Sequence, residues 1–153
     1  MNIQEIVNYL IENKITISTA ESITGGLISK LITDVPGSSN ILSESFVVYS
    51  NEAKVKVLGV DKKLIDEFGV VSMEVAKDMA LKLHKATGSS LCVSTTGNAG
   101  PSVLEDKSVG LVYIGIYYNG EVMGYKFKFD GDRDKVRNDT ASKAFELLKE
   151  HLK

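Results

Sequence analysis

Histidine, cysteine and proline are scarce in this chain, with two, one and two residues among 153. A single cysteine excludes an intramolecular disulfide and fits a reducing compartment. Cys92 lies in Leu91-Cys92-Val93, which reads as a buried strand with an inert thiol. His84 falls in a helix before Gly88 and His151 sits near the C-terminus, so neither adjoins a nucleophile motif and a Ser-His-Asp triad has no base. No apolar run approaches the roughly 18 residues of a membrane span. Met1-Asn2-Ile3-Gln4-Glu5 lacks the basic-then-apolar order of a secretory signal. A large excess of one charge sign is missing as well. The net charge is −2, acids and bases are interspersed, and no long basic run exists. That argues against a charge-driven grip on nucleic acid and leaves anionic small molecules open as ligands. A cytoplasmic protein with no nucleic-acid and no membrane partner is the expectation.

Repeats, low-complexity tracts and linkers are also absent. An apolar fraction of 43% is enough for a core, so 1–153 reads as one domain. What is present starts with Ala20-Glu21-Ser22-Ile23-Thr24-Gly25-Gly26. It follows the β-branched run Ile15 to Thr19 and precedes the amphipathic Leu27 to Ile32, which predicts strand, Gly-rich turn and helix. Exposed N–H groups at such a helix start can hold an anion or an oxyanion. Upstream, Ile3, Ile6, Val7, Leu10 and Ile11 repeat at helical spacing. Downstream, Ile41 to Ser50 predicts a strand centred on Phe46-Val47-Val48-Tyr49, and Asn51 is the expected cap of the short helix after it. Asp61 and Ser72 are expected caps of two further helices, closed by Gly69 and Gly88. Ser90 to Thr95 and Val109 to Tyr118 read as strands around a polar loop, Thr96 to Ser108. Asn119-Gly120 is a hairpin turn into Glu121 to Phe129, and Asp130-Gly131-Asp132 opens a final helix. Helices alternating with strands, then one hairpin, predict an α/β fold: a three-layer α/β/α sandwich with a mixed sheet.

Five segments carry a resemblance. They are Ala20 to Gly26, Thr33-Asp34-Val35-Pro36-Gly37-Ser38-Ser39, Val48-Tyr49-Ser50-Asn51-Glu52-Ala53-Lys54 with Leu58-Gly59-Val60, Thr96-Gly97-Asn98-Ala99-Gly100-Pro101, and Gly131-Asp132-Arg133-Asp134-Lys135-Val136-Arg137. Their order and spacing resemble the CinA C-terminal domain family, the nicotinamide-nucleotide amidases. The resemblance implies the same three-layer fold. It implies hydrolysis of nicotinamide mononucleotide to nicotinate mononucleotide and ammonia within pyridine-nucleotide salvage. It also implies a homo-oligomer, a small-molecule nucleotide as partner, no metal and no cofactor. The chain looks like a stand-alone version, without the family's larger N-terminal domain.

Residue by residue, the resemblance makes Ser22 the nucleophile, against the ordinary role of a helix N-cap. With no histidine available, Lys54 becomes the general base, against a solvated helix lysine; its pKa must then be lowered by burial or by positive neighbours. Tyr49 is expected to pass a proton or to hold the Lys54 amine by hydrogen bond. Thr24, Gly25 and Gly26 are candidates to supply oxyanion donors or to admit substrate. The backbone of Thr96, Gly97 and Gly100 is expected to face the phosphate or the carboxamide. Arg133 and Arg137, four apart on one helix face, are the phosphate candidates, with Arg137 favoured.

One loop departs from the family pattern. Asn98 replaces an apolar residue, a Gly-Gly pair is missing, Ser108 replaces proline, and Glu105 and Asp106 are expected to discourage a phosphate. Three readings therefore stand: the mononucleotide amidohydrolase, a catalytically inactive nucleotide- or partner-binding member of the same family, and a Ser/Lys amidase for another small amide.

Overall fold

The computed structural model describes residues 1–152. Helix α1 (Ile3–Glu12) begins at a capping box: the Asn2 side chain accepts the Glu5 N–H, and the Glu5 carboxylate accepts the Asn2 N–H. It buries Ile6, Val7 and Leu10. Strand β1 (Ile17–Glu21) is buried at every position. Gly25 and Gly26, with φ of 58° and 102°, then turn the chain into α2 (Leu27–Thr33). Strand β2 (Phe46–Val47) leads to α3 (Asn51–Ala53), which continues as one π-helical turn, Lys54–Leu58. Helices α4 (Lys62–Phe68) and α5 (Met73–Thr87) follow, capped by the Asp61 and Ser72 side chains as the sequence predicts. Strands β3 (Leu91–Gly97), β4 (Leu111–Tyr118) and β5 (Glu121–Lys128) come next, and α6 (Arg133–His151) closes the described chain behind its Asp132 cap. Asn119 and Gly120 both have positive φ, the geometry of the tight hairpin between β4 and β5.

The sheet order is β2-β1-β3-β4-β5. β1 runs parallel to β2 and β3; β3–β4 and β4–β5 are antiparallel. One face carries α1, α2 and α6 over Ile17, Val93, Ile114 and Ile116. The other carries α5 and the π-helical turn over Ala20, Val48 and Cys92. Neighbouring residues of β3 thus serve opposite cores, Val93 one and Cys92 the other, as strand alternation requires. Each fully buried aliphatic side chain contributes about 2 kcal/mol. This is the three-layer α/β/α architecture with a mixed sheet.

Two local expectations are corrected. β2 pairs over only Phe46 and Val47, opposite Ala20 and Glu21, with Val48 N–H donating to the Glu21 carbonyl. The pairing stops there because β1 itself ends at Glu21, so Tyr49 has no strand beside it. The cap of α3 is Ser50, whose hydroxyl accepts the Ala53 N–H, and Asn51 is the first helical residue.

Candidate active site

Ligands of open α/β sheets bind beyond the carboxyl ends of parallel strands. Here three such ends meet. Ser22 follows β1, Thr96 and Gly97 end β3, and Tyr49 and Lys54 follow β2. They line a cavity of about 220 Å³ together with Ile23, Asn51, Val70, Ala99 and Leu104.

At its floor Lys54 Nζ lies 3.0 Å from Ser22 Oγ and 3.2 Å from the Tyr49 carbonyl oxygen. Ser22 is 7% exposed and Lys54 1%. A lysine buried this fully is rare. It reaches inward because the chain turns into a π-helical loop at Lys54 and closes with the Val60 N–H on the Lys54 carbonyl. Such turns are frequent at functional sites. Desolvation lowers the Lys54 pKa from 10.5 to about 8, against an opposing pull from the Glu105 carboxylate. When charged, Lys54 donates to Ser22 Oγ. When neutral, the contact reverses, and the serine hydroxyl can donate to the amine lone pair. Such a pair can act as a nucleophile in hydrogen-bond reach of a base.

The chain also matches known proteins. The family model described as the CinA C-terminal domain covers residues 2–152. The chain belongs to that family. A CinA-like protein of Kosmotoga olearia is 45% identical over 148 residues, which are 96% of this chain and 36% of the relative. The chain spans about a third of the length of the curated relatives it matches. The crystal structure of the competence/damage inducible protein CihA from Agrobacterium tumefaciens superposes with a TM-score of 0.87 at 35% identity, covering 97% of this chain and 94% of that one. The competence damage-inducible protein A from Klebsiella pneumoniae gives a TM-score of 0.93 at 25% identity, covering 99% and 98%.

The remaining candidates within this CinA fold divide by what their polar groups already hold. Tyr49 does not hold the lysine amine with its phenol, contrary to expectation. The side chain is 56% exposed, and its hydroxyl accepts from Arg133 at 2.6 Å. Its backbone carbonyl takes the amine instead, because the residue lies beyond the paired strand with its side chain facing out. Thr24 is wholly buried, and its hydroxyl donates to the Glu21 carboxylate at 2.7 Å, away from the cavity. The Gly25 N–H donates to the Ser22 carbonyl. Gly26 stands at the N-cap of α2 with no side chain to cap it. Thr96 faces the cavity but spends its hydroxyl on the Val70 carbonyl. A Cβ at Gly97 would lie 2.8 Å from the Leu111 carbonyl oxygen, so that glycine is required by packing. A Cβ at Gly100 would lie 2.5 Å from a Val109 methyl, and the Gly100 carbonyl accepts from Arg133.

The arginines are not equivalent. Arg137 donates to the carbonyls of Ile23 and Thr24 and braces the turn after Ser22 from behind. Arg133 bridges the Gly100 carbonyl and the Tyr49 hydroxyl. It is therefore Arg133, rather than the favoured Arg137, whose present partners are both residues of the cleft region.

Sequence reasoning missed Glu21. Its wholly buried carboxylate accepts from the Ile28 and Ser29 N–H groups and from the Thr19 and Thr24 hydroxyls. The N-terminal donors of α2 are thus taken by Glu21, not left open for a ligand anion. The signal was a charged residue closing a strand otherwise built for full burial. Glu105 also differs from expectation: its carboxylate accepts from the Val70 and Val71 N–H groups and does not confront the substrate side as a free charge. His84 stacks on Tyr117, and the His151 ring pairs with the Tyr125 hydroxyl. Cys92 is buried, with burial pushing its thiol up to about 12.

Proposed function

We propose that the chain is a Ser/Lys amidohydrolase acting on nicotinamide mononucleotide. The observation that carries this reading is the 3.0 Å contact between a buried serine hydroxyl and a desolvated lysine. Neutral Lys54 takes the Ser22 proton as Oγ attacks the carboxamide carbon. The tetrahedral oxyanion forms beside the N–H of Ile23, which lines the cavity and follows the nucleophile directly. Lys54 then returns its proton to the departing amine, so ammonia leaves and an acyl ester remains on Ser22. Water, deprotonated by Lys54, attacks that ester; the acid product leaves and the serine regains its hydrogen.

A cavity of about 220 Å³ takes the carboxamide-bearing ring and leaves the ribose phosphate outside, within reach of Arg133. Arg133 is the better-placed anion ligand because its two present partners are a neutral carbonyl and a phenol, which a phosphate outcompetes. Family membership supports the substrate class, and the absence of a suitably placed histidine supports lysine as the base. The reading of another small amide as substrate keeps one argument in its favour, a cavity of only about 220 Å³.

Purified protein incubated with nicotinamide mononucleotide should release ammonia and nicotinate mononucleotide in equal amounts. Ser22→Ala should release neither while keeping the wild-type circular dichroism spectrum. Equal rates for the two proteins would refute the assignment. Release from nicotinamide alone, but not from the nucleotide, would move the substrate to another amide.

A further inference from the structure

The β3–β4 loop ends in a tip that is bolted to the rest of the molecule. Leu104 and Lys107 pair across it by an antiparallel bridge, and Glu105 and Asp106 between them both adopt φ of 57°. Left-handed backbone at two successive non-glycine residues costs roughly 1 kcal/mol or more at each, so the tip must be held from outside. Its own side chains do this. Glu105 accepts the N–H groups of Val70 and Val71, each at 3.0 Å. Lys107 donates to the carbonyls of Phe68 and Val71 and lies 3.5 Å from Glu105 Oε1. Gly69 leaves the room: a Cβ there would sit 2.7 Å from Glu105 Oε1. On the inner side, the Asn98 amide donates to the Lys107 carbonyl and its oxygen accepts the Gly100 N–H.

The segment so clamped joins α4 to α5 and carries Val70, a wall of the cavity; Leu104, from the tip, forms another. Both walls thus depend on one set of charge-assisted hydrogen bonds. Leu104 is 44% exposed, which puts it at the mouth rather than in the core.

We propose that Leu104, held rigid by Glu105 and Lys107, is the specificity-determining wall of this cavity: it admits a single flat ring to Ser22 and excludes anything wider. The proposal rests on the reading of Ser22 as nucleophile. It makes the tip a fixed wall rather than a lid. It also assigns the residues standing in the glycine-poor loop a role in choosing substrates by width.

Arylmethanesulfonyl fluorides of graded width test it. Ser22 Oγ displaces fluoride from sulfur, its proton passing to Lys54, and a sulfonate ester remains on the serine. Intact-mass spectrometry follows the rate with phenylmethanesulfonyl fluoride and with a naphthyl counterpart. The wild type should react with the one-ring reagent at least about tenfold faster than with the two-ring reagent. Leu104→Ala and Glu105→Gln should each raise the ratio of the two-ring rate to the one-ring rate about tenfold, a ratio in which any change at Lys54 common to both reagents cancels. An unchanged ratio in Leu104→Ala would overturn the wall. Failure of folded wild type to react with either reagent would overturn the nucleophile, and with it the proposal's premise. The clamp is decided separately by hydrogen exchange. The Val70 and Val71 amides should exchange at least about tenfold faster in Glu105→Gln than in the wild type, and equal exchange would overturn the clamp.

Discussion

Lys54→Met should make the protein more stable and inactive. Lys54 has its ordinary pKa near 10.5 when the chain unfolds, and about 8 when folded. At about 1.4 kcal/mol for each pH unit, holding this lysine in place costs about 3 kcal/mol at pH 7. Methionine fills the same linear space without a charge. It forfeits hydrogen bonds to Ser22 and the Tyr49 carbonyl, worth about 2 kcal/mol together. The net gain is about 1 kcal/mol, or roughly 2–4 °C in melting temperature for a domain of this length. The sign with pH follows from the depressed pKa. Between about 8 and 10.5 the unfolded chain binds more protons than the folded one, so raising the pH relieves the wild type and leaves the variant unaffected. At pH 9.5 the cost of the lysine has fallen to about 1.4 kcal/mol, and the two proteins should melt within a degree or two of each other. Urea titrations of both proteins at pH 7 and pH 9.5 measure the difference directly, since titrations common to both cancel. A variant less stable than wild type at pH 7, or a gain that does not shrink with pH, would refute the reasoning.

Further outcomes follow from the same contacts. Arg133→Ala should raise KM for the nucleotide about tenfold or more and leave KM for the phosphate-free nucleoside unchanged, whereas Arg137→Ala should lower kcat and melting temperature through the unbraced Ile23 and Thr24 carbonyls. The opposite pattern in steady-state kinetics would exchange their roles. kcat/KM should climb with pH and level off above about 8 as Lys54 becomes neutral. Glu105→Gln removes a carboxylate that raises this pKa, so its rising limb should move to lower pH; movement to higher pH contradicts the assignment. Glu21→Ala strands four donors, three of them buried, and should cost about 3 kcal/mol or more in urea unfolding, and a loss below about 1 kcal/mol would show that the α2 cap matters little.

Much of the fold was legible because local chemistry is strong there. Asn119-Gly120, the side chains of Asp61, Ser72 and Asp132, and the periodic Ile6-Val7-Leu10 face each act within a few residues of their own position. The end of β2 was not legible. Phe46 to Tyr49 has strand composition throughout, but where pairing stops is fixed by β1, a partner more than twenty residues earlier. The inward turn of Lys54 accompanies a π-helical bond from the Gly59 N–H to the Lys54 carbonyl that no side-chain periodicity announces. Ser22 and Lys54 were identified by motif, while their 3.0 Å meeting depends on the packing of two strand ends. Glu21 and Glu105 were unreadable for a related reason. Each carboxylate is consumed by backbone donors at a distance in sequence, Ile28 and Ser29 for one and Val70 and Val71 for the other.

The central claim is a covalent step at Ser22 with Lys54 as base, and hydroxylamine partitioning tests it most directly. With the nucleotide as substrate, hydroxylamine competes with water for an acyl ester, so the wild type should form the hydroxamate in place of part of the acid. Ammonia release should keep its rate if acylation limits turnover and rise if deacylation does. Neither Ser22→Ala nor Lys54→Met should yield hydroxamate. Ammonia and acid formed by the wild type with no hydroxamate at any hydroxylamine concentration would mean that water attacks the amide directly, and would contradict the account.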